Sequence, residues 1–317
     1  MHAKPLLRFT RVRAVAMREW METVRNRTFL LISLIIPGMM LGMMVLPGVL
    51  LERRGISVPP TDSLFANQTT LGLVLVVFLF LGITSQAQAL LRSVIEERGN
   101  RMIEVILSSI HPLELLLGKI IGYAAVAATQ FAFWLVSGAA LSKVAGLPFA
   151  MRFYQNAGWE TLILFAACYA AGYLLYASIY ATVGAVLGGE REAVLYQQLL
   201  GLVLIAPLVV TAALAGEPGD VLVQRLTWFP LMTPTLVLLR SAFNAITISE
   251  IAGSLTLTAI TALLMLSLAA RFFRGTTLLS SRRMTWREAW RATESGMLGS
   301  RGSGVGSRED RTASREW

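Results

Sequence analysis

From Leu71 to Leu91 the chain runs for twenty-one residues without a charged side chain. A helix rising about 1.5 Å per residue needs a stretch of that length to cross a hydrocarbon layer of roughly 30 Å. Comparable apolar runs recur at Phe29–Leu51, Leu115–Leu141, Trp159–Leu187, Leu199–Ala215 and Ile251–Phe273, predicting six transmembrane helices. The fifth is short and Pro207 interrupts it. Prolines are tolerated inside spans because neighbouring helices re-satisfy the freed backbone groups. Only 15% of the 317 residues are charged, against about 25% in soluble domains. The predicted fold class is an all-α membrane protein.

Charge placement sets the expected orientation. Of the 28 basic residues, all but Arg53, Arg54, Lys143, Arg152, Arg225 and Arg240 fall in the termini, in the second and fourth connections, or within the adjoining ends of the third and sixth spans (Lys119 and Arg271). The positive-inside rule then predicts cytoplasmic N- and C-termini in a cell membrane, here the bacterial inner membrane, and an even number of spans agrees. Because the arginines flank spans, the net charge of +9 points to anionic lipid and not to nucleic acid. The first apolar run is too long for the core of a cleaved signal and reads as a retained anchor.

Three regions follow. Residues 1–28 form a cytoplasmic N-terminus in which Val12, Ala16, Trp20 and Val24 recur every four residues, joined by Met17 and Met21, with arginines mostly opposite. This pattern predicts an interfacial helix over Arg11–Arg27. Residues 29–273 hold the six spans. Residues 274–317 form a basic tail, with a short interfacial helix expected at Met284–Thr293 and a Gly, Ser and Arg composition typical of disorder from Gly296 to Trp317.

Catalytic chemistry finds few supports. The lone Cys168 lies in an apolar run, and the only histidines are His2 and His111, so ligands for a structural or catalytic metal are lacking. Glu96-Glu97-Arg98-Gly99-Asn100-Arg101 fits the Glu-Glu-x-x-x-Arg signature of CAAX-type intramembrane proteases, but that site also needs intramembrane histidines. A phosphate loop needs Gly-x-x-x-x-Gly-Lys-Ser/Thr. At Gly118-Lys119 the first glycine is replaced by Leu113 and the hydroxyl by Ile120. No cofactor and no enzymatic activity are expected of this chain, and nucleotide chemistry must come from another.

Within the spans, Tyr169, Tyr173, Tyr176 and Tyr180 follow at steps of four, three and four, placing four phenols on one helical face. They either line a translocation path or pack against a neighbouring helix. Gln86, Gln88 and Gln130 offer interhelical hydrogen bonds or further path lining.

The most informative segment joins spans two and three. It carries both signs of charge from Arg92 to Arg101, an apolar helical stretch (Met102, Ile103, Val105, Ile106), a turn at Ser108–Pro112, and then the next span. Such a helix lying across the ends of two spans is suited to passing force from a soluble partner into the membrane. The run EERGNRMIEVILSS…PLELLLGK resembles the first cytoplasmic loop of the permease subunits of type-2 ABC transporters, especially the sodium- and drug-efflux branch. REWMETVRNRTFLLISLIIPGMM, from Arg18, resembles the same family's connecting helix and first span. WFPLMTPTLVLLR (Trp228–Arg240) resembles its partly re-entrant outer segment. The outer loop Glu52–Thr70 is short where many efflux-branch members carry a large domain, so no substrate is read from it.

The resemblance implies a permease working as a homodimer, or as a heterodimer with a similar permease, above separate ATP-binding subunits. It implies a coupling helix at about Glu97–Ser109, with Glu96, Glu97, Arg98, Arg101 and Glu104 as docking residues and Glu190, Arg191 and Glu192 as a smaller second contact. The alternative, from a different class, is a membrane anchor or sensor that recruits a soluble partner through its basic tail.

Overall fold

The computed structural model describes residues 8–31, 33, 35, 38, 68–99, 112–144, 158–186 and 190–277. Most of the expected first span, the 100–111 segment and the tail from residue 278, with its expected helix at Met284–Thr293, lie outside the described residues. Everything regular among the described residues is helical: α1 Phe9–Val24, α2 Gln68–Gly99, α3 Pro112–Val144, α4 Trp159–Val186, α5 Glu190–Leu204, α6 Ala206–Ala213, α7 Val221–Thr227, α8 Thr233–Ala242 and α9 Ile248–Thr277. Five stretches among them are long and apolar enough to cross a membrane: Gly72–Glu96, Glu114–Ser137, Trp159–Ala185, Val194–Ala213 and Ile248–Phe272.

Local signals set the boundaries. Pro112 opens α3, where its missing N–H costs nothing because first-turn amides have no intrahelical acceptor. The fifth span is split at Ile205, two residues before Pro207. The Ile205 amide still donates to the Gly201 carbonyl at 3.0 Å, and its own carbonyl accepts from Leu208 and Val209, so the two pieces stay nearly continuous. Between α1 and the helical turn at 27–31 the chain restarts on Asn26, whose side chain accepts from the Thr28 amide at 2.9 Å.

The core lies around α4, which packs on α2, α3, α8 and α9. A helix apolar on every side belongs in such a central position. Between membrane helices close approach replaces the hydrophobic effect as the source of affinity, so small residues mark the contacts. At Gly172 of α4 any Cβ would stand 2.7 Å from Ile83 Cδ1 of α2 and 2.8 Å from Pro234 Cγ of α8. A larger residue there would require Ile83 and the Pro234 ring to shift.

That contact also locates α8. Gly172 lies thirteen residues into α4 and Ile83 eleven into the α2 span, depths of about 17–20 Å at 1.5 Å per residue. The start of α8 therefore reaches into the middle of the bundle, while its end meets Gly72 at the mouth of α2, where Leu239 and Ala242 are the neighbours. At ten residues the helix is about 15 Å long and does not cross the bilayer. It is a partly re-entrant element. Irregular backbone at this depth is tolerated only when buried in protein. The Thr233 hydroxyl accordingly donates to the carbonyls of Thr227 (2.8 Å) and Phe229 (3.1 Å), and the hydroxyls of Thr211 and Thr235 are 2.9 Å apart.

The return from α8 to α9 is built by two caps. Asn244 adopts φ 53°, a left-handed conformation that asparagine tolerates, and the Ala245 amide reaches back to the Arg240 carbonyl at 2.9 Å. Thr247-Ile-Ser-Glu250 then forms a capping box. The Thr247 amide donates to Glu250 Oε2 (3.1 Å), and the Glu250 amide donates to Thr247 Oγ1 (3.4 Å). Arg240 clamps the two together. Counted as an outer-loop cation by charge alone, it is only 1% exposed. Its guanidinium donates to the Ala245 carbonyl at 2.6 Å, to Glu250 at 3.3 Å and to Thr227 Oγ1 at 3.3 Å. Replacing it with an apolar side chain removes charge-assisted bonds from a closed site, at a cost of about 2–4 kcal/mol. Arg240→Met is expected to lower the melting temperature of the detergent-solubilised protein by several degrees. An unchanged melting temperature contradicts the clamp.

Candidate coupling site

The end of the bundle where α2 stops and α3 begins flanks the 100–111 segment, and three helices meet there. α1 lies along α3, seated by two glycines one turn apart. A Cβ at Gly118 would stand 2.6 Å from Val15 Cβ, and one at Gly122 would stand 2.9 Å from the Ala16 carbonyl oxygen. Val12, Val15 and Ala16 are buried in this contact, and the Trp20 indole N–H donates to Thr129 Oγ1 at 3.0 Å.

Charge then fixes the register. Glu19 continues the buried stripe of α1 and is 4% exposed; Lys119 of α3 is 1% exposed. Lys119 Nζ donates to Glu19 Oε1 at 2.9 Å and also to Ser93 Oγ of α2, whose hydroxyl stands 3.3 Å from Glu19 Oε2. Arg18 adds a bond to Glu19 Oε1 at 3.0 Å. One turn nearer the start of α3, the buried Glu114 accepts from the Arg8 amide at 2.5 Å, and Arg11 Nη1 lies 3.7 Å from its other oxygen. Burial pushes the Glu19 carboxyl up, but the Lys119 ammonium, with hydrogen bonds from Lys119 and Arg18, outweighs this and holds it below its ordinary value of 4.5.

Ser93 stands six residues before the end of α2, and Lys119 seven after the start of α3. One ammonium therefore ties both stems of the 100–111 segment to the interfacial helix. This node was not among the residues singled out by sequence. Its signal was present nonetheless: Glu19 falls on the spacing of Val12, Val15 and Ala16, and Lys119 interrupts an apolar run.

Of the expected docking residues, those on α2 follow Ser93 on the same helix. Glu96 is exposed near the end of α2. Glu97 and Arg98 lie on the same helix, which continues to Gly99, and Glu190, Arg191 and Glu192 open α5; the side chains of these five lie outside the described residues. Arg101, Glu104 and the rest of the expected coupling helix also lie outside them. The tyrosine face of α4 is buried. Tyr173 donates to the Ile120 carbonyl at 3.0 Å and Tyr176 to that of Leu231 at 3.5 Å. Tyr169 stacks on Tyr173 with ring centroids 5.8 Å apart and meets the edge of Phe131 at 4.9 Å. The hydroxyls of Tyr169 and Tyr180 have no hydrogen-bond partner among the described residues. Gln86 Nε2 donates to Gln130 Oε1 at 2.7 Å, joining α2 to α3.

Residues 55–271 match the ABC-2 family transporter proteins, over more than half of the chain. The chain belongs to that family. An ABC-2 protein of this kind is a multi-pass membrane permease component of an ABC transporter. Its all-helical architecture with several apolar spans is that of the family. Two relatives are similar across the same region. The uncharacterized protein MJ1024 of Methanocaldococcus jannaschii is 23% identical over 210 residues, covering 66% of this chain and 50% of its own length. The uncharacterized protein YhaP of Bacillus subtilis is 22% identical over 218 residues, covering 66% and 52%. The permease thus spans about half the length of these curated relatives.

Two outcomes follow for the node. Lys119→Met strands a buried carboxylate and is expected to cost about 3–5 kcal/mol, whereas Glu19→Met with Lys119→Met restores most of it. Melting temperatures of the three permeases measure this, and an uncompensated double variant counts against a paired node. A carboxylate with a depressed pKa contributes stability above its unfolded-state value and loses it as pH falls through the folded one. The seating of α1, followed by the distance between spin labels at Met17 and Ala128, is therefore expected to be constant from about pH 8 to 5 and to weaken only below 4.5.

Proposed function

We propose that the chain is the permease subunit of an ATP-driven exporter akin to the sodium- and drug-efflux branch, with ATP bound and hydrolysed by a separate ABC ATPase subunit. Two permease copies, or one and a paralogue, enclose the path, and both termini face the cytoplasm of a bacterial inner membrane. The observation that carries this reading is the Glu19–Lys119–Ser93 node at the roots of the 100–111 segment. A lever that converts ATPase closure into movement of spans must be rigidly joined to more than one helix. Here a push on 100–111 reaches α2, α3 and α1 together. Nucleotide binding then favours one of two arrangements of the spans, as any ligand-driven shift requires.

In this reading Glu96, Glu97, Arg98, Arg101 and Glu104 form the main ATPase contact, and Glu190, Arg191 and Glu192 the smaller one. The tyrosine face acts chiefly as packing. Its support is the burial of all four rings and the bonding of Tyr173 and Tyr176 to main-chain carbonyls. Gln86 and Gln130 likewise act as an interhelical bond and not as path lining.

The test is charge reversal at Glu97 and Glu104 to lysine, followed by co-purification from host membranes. Loss of the ATPase subunit and of ATPase activity from the purified permease is expected, on the order of tenfold for the double variant, since like charges then face each other across the contact. Intact recruitment and transport contradict the docking assignment. Deleting 296–317 separates the anchor alternative: the exporter keeps near-normal transport, and an anchor working through its tail does not.

A further inference from the structure

Two neighbouring residues of α2 reach in different directions. Ser93 accepts from Lys119 in the node that holds α1 and α3. Arg92, about 100° round the helix from it, bonds α5 instead. Arg92 Nε donates to Gln197 Oε1 at 3.4 Å, and Gln197 Nε2 donates to Gln88 Oε1 at 3.2 Å. Gln88 and Arg92 are four residues apart, on one face of α2. From Val194 on, no other side-chain hydrogen bond joins α5 to another helix among the described residues.

These bonds differ from the other glutamine joint of α2. Gln86 and Gln130 are 2.7 Å apart and buried. The α5 bonds are at the long end of the range, one part-buried and one exposed. Long, partly solvated bonds open easily, which suits a joint that is made and broken.

Close packing does not take their place. At Gly201 an added Cβ would meet nothing within 4 Å, whereas at Gly118, Gly122 and Gly172 it would stand under 3.0 Å from a neighbour. A glycine inside a helix costs stability relative to alanine, and no neighbour among the described residues requires this one. Its carbonyl accepts from Ile205, where α5 has just ended, and Pro207 has no N–H to offer Val203. Beyond the break the chain is fixed: Pro207 and Thr211 are buried, and Thr211 bonds Thr235 of α8 at 2.9 Å. Before it, Val194, Leu195 and Tyr196 are exposed.

We propose that α5 is an arm that pivots at 201–207, and that Gln197 with Arg92 and Gln88 is the latch joining it to α2. Under the ATPase-docking reading, on which this last step rests, Glu190, Arg191 and Glu192 at the free end of the arm and the 100–111 segment beyond α2 meet the same partner. The latch makes the two contacts move as one body. Gln197 is then a positioning residue for coupling.

The full-length permease in lipid nanodiscs tests the mechanics without ATP or a partner subunit. Pulsed electron paramagnetic resonance reads distances from Ala128 on α3 to Leu195 before the break and to Val209 beyond it, all exposed positions. Variants are matched for size-exclusion profile. Gln197→Leu is expected to broaden the Leu195 distribution and leave that of Val209 unchanged. Gln197→Glu, which keeps an acceptor for Arg92, keeps it narrow. Adding Gly201→Ala to Gln197→Leu stiffens the pivot and narrows it again. A Leu195 distribution indifferent to Gln197→Leu overturns the latch. Equal broadening at both labels, or no narrowing by Gly201→Ala, overturns the pivot. In the complex with trapped nucleotide, the Met17–Leu195 distance is expected to stay constant in the unsubstituted protein and to change in Gln197→Leu; a change in the unsubstituted protein overturns the coupling role. Failure of the ATPase recruitment test removes that role alone and leaves the latch and pivot standing.

Discussion

No water reaches the hydrocarbon layer, so each polar group carried into it must find its partner within the protein. The five spans among the described residues meet the backbone part of that demand by being helical. The rest of the architecture meets the side-chain part. α8, which stops halfway, is admitted because its threonines and the Arg240 clamp close the irregular backbone around it. α1 is held against α3 because Glu19 and Lys119 have each other and Ser93 as partners at the boundary of the layer. In both places the same groups that satisfy burial also fix which helices move as one.

Mechanically the bundle has a stiff centre and a stiff base. α4 packs closely on α2 and α8 at Gly172, where added volume would displace Ile83 and Pro234, and α1, α2 and α3 are joined at Lys119. Interfaces with such discrete contacts tend to switch between arrangements and not to deform gradually. The loosest part is the α5–α6 span, little covered by the rest of the chain and broken at Ile205.

The five expected spans that fall among the described residues were legible because hydropathy acts locally, and the re-entrant segment was legible only through the resemblance of Trp228–Arg240 to the family's outer segment. The two interruptions of that logic were less so. α5 begins at Glu190, with its span from Val194 and not from Leu199, because Gln197 finds Gln88 and so is accommodated inside the bundle; alone in the sequence, two adjacent glutamines look like an end. Arg240 looked like a loop cation because its partners Ala245 and Glu250 matter only once the chain turns back at Asn244. Glu19 and Lys119 are a hundred positions apart, and no local pattern pairs them. The resemblance of the 92–119 run to ABC transporter permeases drew attention to the end of the bundle where Lys119 lies. The group that makes that end rigid was visible only in three dimensions.

A node that transmits force makes α1 and α3 travel together when the 100–111 segment is driven. Pulsed electron paramagnetic resonance of spin labels at Met17, Ala128 and Leu263, all exposed positions, in the reconstituted complex with and without trapped nucleotide, measures this directly. Rigid coupling through the node predicts an unchanged Met17–Ala128 distance and a shifted Met17–Leu263 distance. A Met17–Ala128 distance that changes with nucleotide contradicts it.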